Sequence, residues 1–193
     1  VAAIAGKIAR VPFRCRIFTG QIWANRTGLS QMSLKMIDRF TVWVNTHILV
    51  DGKSQQKYLI ENGILKEGQS GIIANAAICG VDVEKFSPDA NKRQEERTQL
   101  GLKDSDVVFI FMGRMNREKG VYELLEAFNR LVKDNGNAKL LLIGSNEGIP
   151  EEVFKSDPNI VYGENLVCYG HTKTPYYALQ AGDVLCLPSY REG

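Results

Sequence analysis

Two runs of consecutive apolar residues constrain this 193-residue chain more than any other feature: Val107 to Met112 and Leu140 to Ile143, each followed at once by a glycine. A strand exposed on one face alternates apolar and polar residues, whereas a run apolar at every position must be covered on both faces. Between the two runs, Val121 to Lys133 places Leu124, Leu125, Ala127, Phe128, Leu131 and Val132 at helical spacing, an amphipathic helix. Continuous apolar strands separated by helices predict an α/β fold with a parallel sheet between helical layers.

The same alternation, less clean, runs through the rest of the chain. Cys15 to Thr19 is a short strand candidate, and Leu29 to Arg39 is a helix whose apolar positions are Leu29, Met32, Met36 and Ile37. Thr41 to Asn45 and His47 to Val50 read as β-branched strands, followed by a helix from Ser54 to Glu61 that Asn62-Gly63 terminates. Gly71 to Cys79 is a further apolar stretch. Toward the end come strand candidates at Asn159–Tyr162, Val167–Tyr169 and Val184–Leu187, with a short helix from Pro175 to Ala181. From Asp82 to Asp106 the character changes: Phe86-Ser87-Pro88-Asp89 is a turn, and Asn91 to Leu100 is strongly charged. The expected division is therefore 1–87 as the later part of one Rossmann-like domain, 88–106 as linker and crossing, and 107–193 as the first part of a second. Both ends read as cuts through a longer protein, so both domains are expected to be partial.

Composition excludes some functions. The formal net charge is +2, with 24% charged residues, which gives no support to a nucleic-acid partner. The cations are unevenly placed: Lys7, Arg10, Arg14, Arg16, Arg26, Lys35 and Arg39 fall in the first forty positions, where Asp38 is the one acid. Such a basic third attracts an anionic membrane surface, for peripheral contact, or a phosphate-bearing substrate; a solvated face fits equally well. No apolar run reaches the ~20 residues of a membrane span. Cys15, Cys79, Cys168 and Cys186 are far apart, without CxxC pairs or a histidine at metal spacing, and are expected to act as small buried hydrophobes in a reducing compartment. No metal site is expected.

In an open parallel sheet, ligands sit at the carboxyl ends of the strands. After the 107–112 run comes Gly113-Arg114-Met115-Asn116-Arg117-Glu118-Lys119-Gly120, then a helix. Gly113 and Gly120 let backbone approach a ligand, and the helix N-terminus offers free N–H groups to an anion. Arg114 supplies a bidentate fork and Lys119 a point charge, a pair suited to a diphosphate. A basic solvated turn is the rival reading. The loop is neither a P-loop, since no Ser or Thr follows the lysine, nor a G-x-G-x-x-G fingerprint.

A strand followed by G-R-x-x-x-x-K-G and a helix Glu123-Leu124-Leu125-Glu126-Ala127-Phe128 resembles the retaining glycosyltransferases of family 4, whose fold is called GT-B. Three more segments are similar in the expected order. They are Gly80-Val81-Asp82 through Phe86-Ser87-Pro88 at the domain crossing, Leu141 to Gly144 as a strand, and Tyr176 to Gly193 ending Pro188-Ser189-Tyr190-Arg191-Glu192-Gly193. Phe18-Thr19-Gly20-Gln21-Ile22-Trp23-Ala24 is similar to members that assemble bacterial capsular or surface polysaccharides.

The resemblance implies that Arg114 and Lys119 neutralise the donor diphosphate without a divalent metal or other cofactor. Glu192 would bond hydroxyls of the donor sugar, Gly193 would lie near the same sugar or the phosphate, and Gly170-His171 would lie near the nucleobase. On the acceptor side, relatives place a histidine where this chain has Phe18-Thr19-Gly20-Gln21, leaving Thr19 and Gln21 as weak candidates; Trp23 is a third weak candidate to line the acceptor cleft, with packing beside the strand end as its rival reading. His47 reads as structural, Glu118 as an ion-pair partner, and Asp183 as a turn cap.

The expected activity is transfer of a sugar from a nucleotide diphosphate donor, a UDP-sugar, with retention, to a lipid-linked or polysaccharide acceptor. The expected place is the cytoplasm, at the inner face of the plasma membrane. Two rivals belong to other classes: a non-catalytic nucleotide-sugar-binding fragment, and a nucleotide-sugar epimerase of the same fold.

Overall fold

The computed structural model describes residues 1–73, 80–155 and 158–190. The chain divides into two compact units, Val1–Gly80 and Val81–Glu192.

In the first unit, helix α1 (Ala2–Ile8) precedes strand β1 (Cys15–Phe18), helix α2 (Gly28–Val44), strand β2 (His47–Val50), helix α3 (Lys53–Glu61) and strand β3 (Gly71–Ile72). The sheet order is β1-β2-β3, all parallel, with Cys15 opposite His47 and Leu49 opposite Gly71. Phe18, Trp23, Val42, Ile48, Val50, Leu59, Ile64 and Leu65 form its core. As expected, α3 stops at Asn62-Gly63, where Gly63 takes φ +66°.

Thr41–Asn45, expected as a strand, is instead the last turn of α2 and its cap. The register that wins is Leu34, Asp38, Val42, spaced one turn apart. Leu34 and Val42 join the core, and Asp38 accepts from the Trp23 indole N–H at 2.7 Å. That choice of face turns Leu29, Met32, Met36 and Ile37, expected to be the inward stripe, out to the surface of this unit. Cys15, expected to be buried, is exposed.

The second unit contains α4 (Ala90–Gln99), β4 (Val107–Met112), α5 (Val121–Asp134), β5 (Ala138–Ile143), β6 (Leu166–Gly170), α6 (Pro175–Ala178) and β7 (Val184–Cys186). The sheet order is β6-β5-β4-β7, entirely parallel. The two continuous apolar runs are its central strands, and both faces are covered. Phe111, Leu140, Leu142 and Leu166 pack with Val121, Leu124, Leu125, Phe128 and Val132 of α5. Val108, Ile110, Leu141 and Ile143 meet Leu102, Ala178 and Ala181 on the other face. At about 1.5–3 kcal/mol for each large side chain buried, this double coverage dominates the unit's stability.

The charged stretch set apart as linker carries α4. The Asp89 carboxylate caps it, accepting from the amides of Asn91 at 2.9 Å and Lys92 at 3.0 Å. Polar groups then fasten it to the approach to β7. Arg97, 1% exposed, donates to the carbonyls of Ala181, Lys103 and Asp106, and Arg93 donates to the carbonyls of Gln180 and Gly182. Asp183, expected as a turn cap, pairs with both arginines and accepts from the Val108 amide at 2.8 Å. Burial pushes its carboxyl up, but the Val108 N–H and the two guanidiniums outweigh this and hold it below its ordinary value.

Asn159–Tyr162 is not a strand. The Asn165 side chain accepts from the Val161 amide and donates to the Asn159 carbonyl, bending the segment into a turn with a single bridge at Tyr162.

Candidate active site

Three neighbouring strands of the second unit, β4, β5 and β6, each end in a glycine of positive φ: Gly113 (+159°), Gly144 (+137°) and Gly170 (+80°). The Gly113 amide donates to the Ile143 carbonyl at 2.9 Å, and the Gly144 amide to the Gly170 carbonyl at 2.8 Å. The approach is so close that a Cβ on Gly144 would stand 1.9 Å from the Gly113 carbonyl oxygen. The strand ends therefore form a shelf of bare backbone. Gly144 was not among the expected site residues; its signal was its place immediately after an apolar strand.

From this shelf the 113–120 loop rises. The Asn116 carboxamide oxygen accepts from the Lys119 amide at 3.2 Å and caps a single turn of 3₁₀ helix, Arg117–Lys119. Gly120 then takes a left-handed φ of +70° and opens α5. A Cβ there would lie 2.2 Å from the Pro188 carbonyl oxygen, so the loop closes onto the segment that follows β7 only because position 120 is glycine. Two contacts hold that segment: the Tyr190 amide donates to the Glu118 carbonyl at 3.0 Å, and the Tyr190 hydroxyl donates to Glu123 in the first turn of α5. The hydroxyl draws the Glu123 carboxyl below its ordinary value.

Arg114 and Lys119 thus rise from one turn, Arg114 exposed and Lys119 half-buried. The first amides of α5 lie at the loop's end without intrahelical acceptors. Arg114 Nη1 meets Glu147 Oε2 at 3.2 Å, across to the loop after β5. Glu147 was not foreseen, because sequence separation hid its approach to Arg114. His171 is exposed beside Gly170. The preceding residue, Tyr169, donates from its hydroxyl to the buried Glu96 carboxylate on α4 at 3.1 Å. Beside Met115 and Asn146 lies a cavity of about 300 Å³, also lined by Phe154, Tyr162 and Cys168. Burial pushes the Cys168 thiol up. Arg191, Glu192 and Gly193 lie outside the described residues, as does Cys79. Among the described residues no group of three or more His, Cys, Asp or Glu could hold a metal ion.

The first unit presents its own strand end. Thr19 is exposed, and its carbonyl accepts from the side-chain amides of Gln21 and Gln55. Gln21 is buried, and Trp23 is 1% exposed, stacked on Tyr58 at 5.3 Å. Trp23 thus sits within the packed core. Burial raises the Asp38 carboxyl despite its bond from Trp23 and the charge of Arg16. His47 touches Thr46 and the Phe13 ring.

Comparison with known proteins places these features in context. A family profile described as "Glycosyl transferases group 1" matches residues 92–193. The chain is 27% identical over its whole length to the capsular polysaccharide biosynthesis glycosyltransferase CapM of Staphylococcus aureus, covering 50% of it. It is 24% identical to the UDP-Gal:alpha-D-GlcNAc-diphosphoundecaprenol alpha-1,3-galactosyltransferase of Escherichia coli, over 98% of this chain and 49% of that protein. The chain thus spans about half the length of these curated relatives. Among solved structures, HepE of Anabaena in complex with UDP-glucose is similar with a TM-score of 0.75 at 17% identity, covering 97% of this chain and 50% of that one.

Proposed function

Since this chain belongs to the glycosyl transferases of group 1, we propose that its protein moves a sugar from a nucleotide diphosphate donor, a UDP-sugar, onto a lipid-linked or polysaccharide acceptor. The setting is the assembly of a bacterial surface glycan. The two parallel Rossmann-like sheets agree with the GT-B fold of the solved relatives. The placing of this activity in surface-glycan assembly leans on the printed functions of CapM and the galactosyltransferase. Assignment to family 4, with retention at the anomeric carbon, rests on the motif resemblance.

The observation that carries the reading is the 113–120 turn: Arg114 and Lys119 stand on one glycine-bounded loop that follows β4 and opens α5. The leaving group is a diphosphate whose negative charge grows as the anomeric bond breaks, so cations fixed beside it favour the transition state over the bound donor. Arg114 and Lys119 supply that charge without needing a divalent metal. Gly170 and His171, at the end of β6 two strands away, would face the nucleobase, while Glu192 and Gly193 would address the donor sugar. Thr19 and Gln21 stand at the strand end of the acceptor-side unit, and Trp23 lies in the core of that unit. The described residues include no helix long and apolar enough to cross a membrane. Contact with the inner membrane face is proposed on a separate ground, the basic N-terminal third.

The test compares the full-length wild type with Arg114→Ala and Lys119→Ala in donor transfer and in UDP titration calorimetry. Loss of one charge-assisted phosphate contact, about 1.5–3 kcal/mol, predicts a 10- to 150-fold weaker UDP affinity for each variant. Wild-type affinity in both variants would overturn the diphosphate assignment. UDP binding without any transfer would favour a nucleotide-sugar-binding protein, and an epimerised donor formed without acceptor would favour an epimerase.

A further inference from the structure

We propose that Glu147 is a tethered rival of the donor diphosphate, holding Arg114 whenever no donor is bound and hastening release of the nucleoside diphosphate product; this rests on the donor-site reading above. The placement of Glu147 is built from backbone. The Met115 amide donates to the Ser145 carbonyl at 2.8 Å, and the Glu147 amide returns to the Met115 carbonyl at 2.9 Å. Asn146 closes the tip of its loop with two bonds to Ile149, at 2.8 and 2.9 Å. Gly148, at φ +100°, makes the reversal that a side chain would resist. These ties fix Glu147 relative to the 113–120 loop. Its Oε2 then reaches Arg114 Nη1 at 3.2 Å, with Asn116 Nδ2 at 3.5 Å from the same oxygen.

The strength of the pair suits an exchange. The side chains remain 62% and 42% exposed, so water and salt screen the attraction. A pair so exposed is weak, and a bidentate phosphate contact outbids it. The carboxylate nevertheless stays within reach once Arg114 has turned to the ligand, and it then repels whatever anion lies there. Transfer of the sugar converts a donor whose two bridged phosphates carry two charges into a free diphosphate. The terminal phosphate of that product gains further charge, its second ionisation lying near pH ~6. Repulsion from Glu147 therefore rises after the chemical step, on the species that has to leave.

The decisive measurement is binding of UDP and of the UDP-sugar donor to the full-length protein, wild type against Glu147→Gln. The variant keeps the shape and removes the charge. The expected result is UDP affinity tightened by about two- to fivefold, a clearly smaller change for the donor, and stronger product inhibition. Both differences should shrink at high salt, and Glu147→Asp should restore most of the wild-type behaviour. Equal tightening of UDP and donor would overturn the proposal, as would unchanged or weaker UDP binding in Glu147→Gln; weakening would make Glu147 a support for Arg114 instead. If the wild type bound no UDP at all, the donor-site reading would fall and this proposal with it, whereas wild-type binding without tightening in the variant defeats this proposal alone.

Discussion

Replacing Arg97 with Met removes a buried cation that joins α4 to the start of β7. Its Nη1 donates to the Ala181 carbonyl at 2.9 Å and to Asp183 Oδ2 at 3.4 Å, and its Nη2 to the carbonyls of Asp106 at 2.8 Å and Lys103 at 2.5 Å. Lys103 is exposed, so its carbonyl can turn to water, but Ala181 and Asp106 are buried. Each buried acceptor left without a donor costs about 1–3 kcal/mol. Asp183 is not left bare, because Arg93 and the Val108 amide remain on it. That places the loss below the full cost of orphaning a buried ion. A partial offset comes from the Arg97 Nε, a buried donor without a partner that the substitution removes.

The expected net loss for Arg97→Met is about 2–4 kcal/mol. Because two units need not unfold together, native-state hydrogen exchange is the better assay. The amides of Val108 and Asp183, which bond each other's residues at 2.8 Å, should lose protection by that amount, while amides of β2 should not change. Arg97→Lys keeps the charge without the fork and should recover less than half of the loss. If Val108 and Asp183 lost less than about 1 kcal/mol in Arg97→Met, then apolar packing alone holds α4 and the polar account is wrong.

Three further substitutions separate other causes. Asp38 has a carboxyl raised above its ordinary value of 3.8, so its favourable contribution is full at low pH and is lost as pH rises through the folded-state value. Asp38→Asn, which keeps an acceptor for Trp23, should therefore gain in Tm over the wild type as pH rises from the ordinary value of 3.8 toward the raised folded-state value, and hold a constant gap above it; a pH-independent gap would refute the burial effect. Gly144→Ala drives a Cβ to 1.9 Å from the Gly113 carbonyl, whereas Gly148→Ala meets nothing within 4 Å and bears only the strain of positive φ. The second should cost about 1–2 kcal/mol by chemical denaturation. The first should cost clearly more and weaken UDP binding, and equal effects would mean the close approach is unimportant.

The elements legible in the sequence were those governed by apolar burial: β4, α5 and β5 stand where the unbroken apolar runs and the amphipathic stripe put them. What escaped was governed by polar contacts between residues far apart. Asn91 to Leu100 has no apolar stripe, and it is a helix because Asp89 caps it and Arg93 and Arg97 find carbonyls some 85 positions on. The end of α2 escaped for a related reason. Its inward register includes Asp38, whose partner is the Trp23 indole, so hydrophobic spacing alone selected Leu29, Met32, Met36 and Ile37. Within the candidate site, Arg114, Lys119 and their flanking glycines were visible because they share one short segment. Glu147 and Gly144 lie on the neighbouring loop and became visible only through strand order.

The Arg97 clasp also sets a clock on synthesis. Asp183 follows Arg97 by 86 positions, an interval of about 4–17 s at ribosomal rates of about 5–20 residues per second. During that time α4 carries a guanidinium with neither its carboxylate nor the Ala181 carbonyl. The edge of β4 that will pair with β7 stays open beside it, while the opposite edge can already take β5. The β4 edge of the nascent second unit is thus flanked by a cation that lacks its partners, and a charge beside an open edge discourages pairing with a neighbouring chain until β7 arrives.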